Sequence, residues 1–148
     1  MKICIACSAG GHLVEASRFL PIIKKYEYFF VTFRKKQSED LLKSEKKYFI
    51  INPKRNLFKL FINFLQSLRI WMKEKPKIII STGAGAALPM CLVGKFFGSK
   101  IIFVETLAAV FKPSLSGRLI YPISDLFIVQ WKQNLKFYKK AIYGGNLI

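Results

Sequence analysis

The one histidine in the sequence directly follows a pair of glycines. The segment Ser8-Ala9-Gly10-Gly11-His12 comes immediately after a short apolar run, Lys2–Cys7. Glycines let backbone N–H groups approach a ligand, and the start of a following helix favours phosphate. His12 can act there as a general base or donate a hydrogen bond to phosphate. For the glycines, the alternative is a tight strand-to-helix turn without a ligand. Glu15 follows in the first turns of the predicted helix, where its alternative role is to compensate the helix dipole. The predicted acceptor or phosphate ligands in and just after this segment are Ser8, Gly10, Gly11 and Glu15.

A second small loop, Ser81-Thr82-Gly83-Ala84-Gly85, follows another apolar run. The first loop lacks the full G-x-G-x-x-G of dinucleotide sites and the lysine of a P-loop, so the pair of loops is the stronger signal. Glu105 also comes directly after an apolar run, where a carboxylate is expected to face the ligand crevice. We therefore predict His12 and Glu105 as catalytic residues. The further predicted ligands are Arg34, Thr82, Gly83 and Gly85.

Short apolar runs alternate with longer amphipathic ones, which is typical of a parallel sheet covered by helices. The predicted strands are Lys2–Cys7, Tyr28–Phe33, Tyr48–Ile51, Lys77–Ser81, Lys100–Val104 and Leu126–Gln130. The predicted helices are His12–Lys25, Gln37–Ser44, Leu57–Lys73, Ala86–Phe97, Ser114–Tyr121 and Gln133–Lys140. The common doubly wound order, 3-2-1-4-5-6, places the loops after strands 1 and 4 at the crevice where ligands bind. We therefore expect an α/β fold with a single Rossmann-like domain over residues 1–148.

The segment Leu57–Lys73 is an unusual helix. Its apolar residues form a broad arc, as in a helix that packs on a sheet, so a core position is one interpretation. Ile62 and Ile70 intrude on the polar side, and lysines flank the segment, as in helices that lie on anionic lipid. No uncharged apolar run reaches 18 residues, so we expect no membrane-spanning helix. The predicted membrane contacts are Leu57, Phe61, Phe64, Leu68 and Trp71.

The composition points to an acidic partner. The net charge is +17, and 52% of the residues are hydrophobic. A basic chain binds nucleic acid, anionic lipid or a phosphorylated substrate, and the high apolar content favours a membrane surface over nucleic acid. Cys4, Cys7 and Cys91 lie in apolar surroundings, which predicts buried, reduced thiols and a cytoplasmic protein. We expect no signal peptide, because the apolar stretch Met1–Ser8 is short and interrupted at Lys2. No ligand set for a metal is expected, because Cys4 and Cys7 point to opposite faces of a strand.

With these residues in place, the sequence resembles the acceptor-side subunits of two-component glycosyltransferases. These include the oligosaccharide biosynthesis protein Alg14-like family and bacterial polysaccharide biosynthesis proteins of the CpsF, PssD and EpsE type. The resemblance runs essentially end to end, and the stretch 103–131 is its most specific part. The matching segments are Gly10-Gly11-His12 with Glu15, Ser81–Gly85 with Pro89, and Phe103–Thr106 through Ser116-Gly117-Arg118, Tyr121-Pro122 and Asp125 to Val129-Gln130-Trp131.

The resemblance implies a split GT-B enzyme, similar to MurG divided into two chains. This chain would be the N-terminal half, which binds the acceptor and associates peripherally with the cytoplasmic face of the cell membrane. A separate GT-B C-terminal-type subunit would bind a UDP-sugar. The pair would extend a polyprenyl-pyrophosphate-linked saccharide in capsule or exopolysaccharide biosynthesis, with no metal or cofactor, and this chain would be inactive or weakly active alone. Eukaryotic relatives begin with a transmembrane anchor, whereas this sequence begins on strand 1.

Two other classes of function compete with this hypothesis. One is a non-catalytic binding module for anionic lipid or nucleic acid. RNA-binding sheets display exposed aromatic residues, but the strand aromatics here are expected to be buried, so we expect no nucleic-acid partner. The other is a nucleotide-dependent oxidoreductase. It is disfavoured because Arg34 stands where a dinucleotide site has an acidic ribose ligand.

Overall fold

A parallel β-sheet forms the centre of the molecule, as shown by a computed structural model that describes residues 1–147. Its strands are β1 (Lys2–Cys7), β2 (Glu27–Phe33), β3 (Lys47–Ile50), β4 (Ile78–Gly83), β5 (Lys100–Val104), β6 (Leu126–Val129) and β7 (Ile142–Tyr143). Across these residues the strand order is β3-β2-β1-β4-β5-β6-β7, and every neighbouring pair is parallel. The reversal between β1 and β4 puts the loops after these two strands side by side.

Helices cover both faces of the sheet. They are α1 (Gly11–Ser17), α2 (Leu20–Ile23), α3 (Lys36–Leu41), α4 (Leu57–Glu74), α5 (Ala87–Phe96) and α6 (Leu115–Ile120), with 3₁₀ turns at Tyr121–Ile123 and Lys132–Lys136. One apolar core lies under α1 and α2 and includes Leu13 and Ile23. The other lies under α4 and α5 and includes Ile70 and Met90. Within residues 1–147, none of the helices combines the length and apolar character needed to cross a bilayer.

The predicted α/β class and the order of the first six strands are confirmed. The predicted helix His12–Lys25 is wrong in its length, because it divides into α1 and α2. Pro21 lies in the first turn of α2, where it cannot donate the hydrogen bond that would continue α1. The predicted helix Gln133–Lys140 is also wrong. This region forms a 3₁₀ turn and then leads into β7, which at two residues is too short to leave a pattern.

Helix α4 packs against the sheet with its polar stripe instead of its apolar arc. Asn63 and Ser67 are fully buried, and the Asn63 side-chain amide donates to the carbonyl oxygen of Ile51 at 2.9 Å. The backbone N–H of Ile51 donates to the side chain of Gln66 at 2.8 Å. These bonds give hydrogen-bond partners to the backbone N–H and carbonyl groups of Ile51, just beyond β3, and fix the rotation of the helix. Of the two predicted positions for the apolar arc, burial in the core is therefore wrong for Leu57, Phe61 and Phe64, which are exposed, and holds in part for Trp71, which packs against the core.

The last residue of α4, Glu74, joins the helix to the start of the sheet. Its buried carboxylate accepts hydrogen bonds from Lys2 and Lys46, each at 2.8 Å, and from the hydroxyl of Tyr48. Burial alone would raise the pKa of Glu74, but the hydrogen bonds from these three side chains lower it to about 2. The carboxylate is thus mostly charged in the folded protein above about pH 2.

We expect acid to destabilise the protein through Glu74. A carboxyl group whose pKa falls on folding stabilises the fold above its ordinary pKa of 4.5, and this stabilisation is lost as the pH falls towards 2. Glu74→Gln should lower the free energy of unfolding by about 2–3 kcal/mol at pH 7 and flatten its dependence on pH below 5. Urea unfolding between pH 3 and 7 measures both. Glu27→Gln, which removes an exposed partner of Lys2, is the control. Equal slopes for Glu74→Gln and the unmodified protein would contradict this assignment.

Candidate functional site

The two glycine loops meet at the carboxyl ends of β1 and β4. The backbone N–H of Ser8 lies 3.4 Å from the carbonyl oxygen of Gly83. Thr82 Oγ1 donates to the carbonyl oxygen of His12 at 2.7 Å, and His12 Nδ1 lies 2.8 Å from the carbonyl oxygen of Thr82. The predicted juxtaposition of these loops is confirmed.

The contact with Thr82 defines the chemistry of the His12 ring. A carbonyl oxygen only accepts hydrogen bonds, so Nδ1 must carry the proton in the neutral ring. Nε2 then holds the lone pair and can take a proton from a substrate hydroxyl. His12 is half-buried, which leaves its ring within reach of a ligand.

Gly83 permits the close approach of its loop to His12. Its φ of 110° lies in the left-handed region that favours glycine. A Cβ atom at this position would lie 2.9 Å from Ser116 Oγ and 3.4 Å from His12 Cε1. The glycine thus has a packing role beside the histidine, whereas Gly10 (φ 95°) has no neighbouring atom that a Cβ would meet.

Glu105 does not face the crevice, so this part of the prediction is wrong. Its side chain is fully buried, because the loop after β5 folds back over it. The carboxylate accepts hydrogen bonds from the backbone N–H groups of Thr106 and Ser114, from Ser114 Oγ at 2.5 Å and from the Tyr138 hydroxyl at 2.6 Å. Burial and the bond to Glu105 raise the pKa of Tyr138, which keeps it protonated as a donor. In this position Glu105 fixes the loop of residues 105–114.

Glu15 holds the same loop from the other side. It is buried in α1, and Glu15 Oε1 accepts from Thr106 Oγ1 and from the backbone N–H of Leu107, each at 3.1 Å. Gln130 donates to Glu15 at 3.2 Å and to the carbonyl oxygen of Glu105 at 3.0 Å. These bonds occupy the Glu15 carboxylate, so it positions the loop beside His12 instead of meeting a ligand directly.

The predicted ligand Arg34 lies apart from this cluster. Its guanidinium stacks over the ring of Phe49 at 4.7 Å and lies 3.3 Å from Glu39, at the end of β2. The cationic side chain that lines the same groove as His12 is instead that of Arg55, which follows β3. The sequence contained a signal for this residue, since Lys54 and Arg55 form a basic pair after a predicted strand. Arg34, which follows the preceding strand, was predicted as the ligand instead.

A groove with a volume of about 350 Å³ opens beside His12. Its walls come from the start of α4, the loop after β4 and the helix α6. The polar residues that line it are His12, Arg55, Asn56, Thr106, Ser114 and Ser116. The apolar residues are Pro53, Leu57, Leu60, Ala84, Leu88, Leu115 and Leu119, together with Gly85. Leu115 and Leu119 of α6 were not among the predicted site residues.

The predicted membrane residues of α4 divide into two groups. Leu57, Phe61 and Phe64 are exposed, with 83% of Leu57 and 59% of Phe61 open to solvent. Leu68 and Trp71 are half-buried, and Trp71 stacks on Phe97 with ring centroids 4.5 Å apart.

Helix α5 and Phe97, which directly follows it, also expose apolar side chains, and we call the exposed apolar face of α4 and α5 the α4–α5 surface. Its members are Leu57, Phe58, Phe61, Phe64, Leu65, Met72, Leu92, Phe96 and Phe97. A cluster of exposed apolar side chains of this kind is typical of an interaction site.

The cysteines do not contribute to the site. All three are free and buried, with Cys4 in one core and Cys7 in the other, as predicted. Burial raises the pKa of Cys7 and of Cys91 to about 12, so neither thiol is a nucleophile near neutral pH. In residues 1–147, no three His, Cys, Asp or Glu side chains lie close enough together to hold a metal ion.

Comparisons with known sequences extend over nearly the whole chain. The family described as "Oligosaccharide biosynthesis protein Alg14 like" matches residues 3–147. The UDP-N-acetylglucosamine transferase subunit ALG14 of Candida albicans is 41% identical over 92 residues, which are 58% of this chain and 42% of that protein. The subunit of the same name from Mus musculus is 29% identical over 99 residues, 63% of this chain and 46% of that protein. The match thus spans less than half the length of either relative.

Solved structures show the same fold at low sequence identity. MurG of Acinetobacter baumannii has a TM-score of 0.75 and 14% identity, covering 88% of this chain and 42% of that chain. A UDP-N-acetylglucosamine 2-epimerase from Rickettsia bellii has a TM-score of 0.80 and 12% identity, covering 99% and 45%. The predicted fold, one Rossmann-like half of a GT-B structure, is confirmed.

The buried network predicts that Glu105 has a strong effect on stability. All four of its partners are donors, so the amide of Glu105→Gln would point a donor at other donors. We expect this variant to lose about 2–3 kcal/mol of unfolding free energy. Tyr138→Phe removes one of the four bonds and should lose about 1 kcal/mol. Urea unfolding of both variants measures the difference. A Glu105→Gln variant as stable as the unmodified protein would show that the network is not formed.

Proposed function

The chain belongs to the Alg14-like family of oligosaccharide biosynthesis proteins, and from this we propose that it is the acceptor-binding subunit of a two-chain glycosyltransferase. A second subunit of the GT-B C-terminal type binds the donor. The donor is a UDP-sugar, and the names of the relatives favour UDP-N-acetylglucosamine. The acceptor is a polyprenyl-pyrophosphate-linked saccharide. The assignment of the product to capsule or exopolysaccharide stays a prediction.

The observation that carries this proposal is the bonded orientation of His12. Its Nδ1–H is held by Thr82, and the ring borders the groove between α4 and α6. In the proposed reaction Nε2 takes the proton of the acceptor hydroxyl while that oxygen attacks the anomeric carbon of the sugar. The bond from this carbon to the UDP oxygen breaks, and UDP leaves with the electron pair. Arg55 offsets the negative charge of the acceptor's pyrophosphate at the same groove.

The α4–α5 surface supports a peripheral position on a membrane. The exposed basic residues Arg69, Lys73 and Lys95 lie on the same two helices. Exposed aromatic and aliphatic side chains together with cations are the features of helices that lie in the lipid interface. We propose the cytoplasmic face of the cell membrane as the location. There the groove beside His12 would open close to the lipid that carries the acceptor.

A non-catalytic module for anionic lipid is the second candidate, because the same exposed surface would serve it. Only the glycosyltransferase subunit requires a catalytic role for His12, so a test of that role distinguishes the two candidates. Nucleic acid is a weaker candidate partner, since Phe29, Phe30 and Phe103 on the strands are fully buried and offer no stacking surface for bases.

The reaction tests this proposal directly. We expect purified chain to transfer no label from radiolabelled UDP-N-acetylglucosamine to a polyprenyl-pyrophosphate-linked saccharide alone, and to do so once the donor-binding subunit is added. In the two-subunit assay His12→Ala should lower turnover by roughly 10²–10⁴-fold, because the general base is lost. The melting temperature should change little. Lys43→Ala, at an exposed position after α3 that does not line the groove, is the control. Robust transfer by the isolated chain, or full activity of His12→Ala, would overturn the proposal.

Membrane binding gives an independent prediction. In liposome flotation the chain should bind vesicles rich in anionic lipid, and binding should fall as salt rises, because ions screen the attraction of basic residues to the surface. The double variant Phe61→Ser and Phe64→Ser should lose most of this binding. Ile22→Ser is the matched control, since Ile22 is 65% exposed on the other face of the sheet. Equal loss in both variants would show that α4 does not contact the membrane.

A further inference from the structure

The groove beside His12 is predominantly apolar, although it sits next to a site proposed for a charged substrate. Leu60 and Leu88 line one side, and Leu115 and Leu119 line the other. Leu57 belongs both to the groove and to the α4–α5 surface. The groove is therefore continuous with the face proposed to meet the membrane. Its volume of about 350 Å³ lies at the lower end of the usual range for small-molecule sites.

Most polar groups in the groove already have partners within the chain. Ser114 Oγ donates to Glu105, and Ser116 Oγ accepts from the backbone N–H of Ala84 at 3.2 Å. The Asn56 side chain caps α4 by accepting from the backbone N–H of Lys59. A sugar or a nucleobase needs hydrogen-bond partners along its whole edge, and these groups are committed elsewhere. An apolar chain needs none.

Arg55 supplies the polar end of the groove. Its guanidinium makes no hydrogen bond or ion pair to the residues that the structure describes. Lys54 (φ 43°) and Arg55 (φ 61°) are consecutive residues in the left-handed region, which costs free energy for residues with a Cβ. The strained turn carries the chain from β3 into α4 and places Arg55 in the groove wall, where a guanidinium can bind a phosphate with two parallel hydrogen bonds.

We propose that this groove binds the isoprene units next to the pyrophosphate of the lipid carrier, with Arg55 bonded to a phosphate. The inference rests on the proposed function, since it names the part of the acceptor that the groove holds. The branched apolar chain fills the leucine-lined space, and the rest of the lipid continues along Leu57 towards the bilayer. The lipid would thereby position the saccharide beside His12, so the lipid carrier itself becomes a determinant of specificity.

Binding of soluble fragments tests this inference without any transfer reaction. The probes are farnesyl diphosphate, farnesol and inorganic pyrophosphate, each titrated into the full chain by isothermal titration calorimetry below the micelle concentration. Farnesyl diphosphate should bind at least tenfold more tightly than either fragment. Leu119→Asn, at a half-exposed position, should weaken farnesyl diphosphate about tenfold and leave pyrophosphate unchanged. Arg55→Gln should weaken farnesyl diphosphate and pyrophosphate about tenfold and leave farnesol unchanged.

Two matched controls exclude binding elsewhere on this basic, apolar chain. Lys43→Gln removes the same charge at an exposed position that does not line the groove, and Phe96→Ser removes an apolar side chain that is 84% exposed on the α4–α5 surface. Both should bind farnesyl diphosphate normally. Equal affinity for farnesyl diphosphate and pyrophosphate, or equal losses in Phe96→Ser and Leu119→Asn, would overturn the inference. If either result were found but the chain still supported transfer with the partner subunit, only the lipid-groove inference would be refuted. If the predicted binding pattern were found without transfer, only the proposed function would be refuted.

Discussion

The burial of the polar stripe of α4 is the constraint on which the rest of the structure depends. Asn63 and Ser67 are fully buried, and Asn63 is bonded to the chain beyond β3. At the other end of the helix, Glu74 is held by Lys2 and Lys46. Buried polar groups lose free energy when their partners are removed, so rotating the helix to bury its apolar arc would break each of these bonds. Most of the apolar arc, including Leu57, Phe61 and Met72, must therefore face outward and is exposed, whereas Trp71 packs against Phe97.

The same helix links the outward face to the candidate site. Its first turn, at Leu57, borders both the α4–α5 surface and the groove beside His12. On the far side of the groove, Glu15 and Glu105 hold the loop 105–114 from two directions through buried hydrogen bonds. This loop and the helix thus enclose the groove, and Thr82 orients the ring of His12 at its edge. In this arrangement the two carboxylates position the loop, and His12 remains the residue proposed to act as the base.

The fold was predictable from the sequence because strand runs and glycine loops follow local rules. The juxtaposition of Gly83 with His12 followed from sheet topology alone. The rotation of α4 was not predictable, since a broad apolar arc normally faces a core and only the partners of Asn63 and Glu74 reverse it. Glu105 was misplaced for a similar reason. Its position after a buried strand indicates the crevice edge, but the loop that covers it is set by Ser114 and Tyr138, which are distant in sequence.

The most direct test of this account is the depth of α4 in a lipid bilayer. The native cysteines are buried, so a fluorophore attached to Phe61→Cys would label that position selectively. The protein would be bound to anionic vesicles that contain brominated lipid, which quenches fluorescence only at close range. We predict strong quenching at position 61 and little quenching for a label at Ile22→Cys, on the other face of the sheet. Equal quenching at the two positions, or none at position 61, would contradict the account.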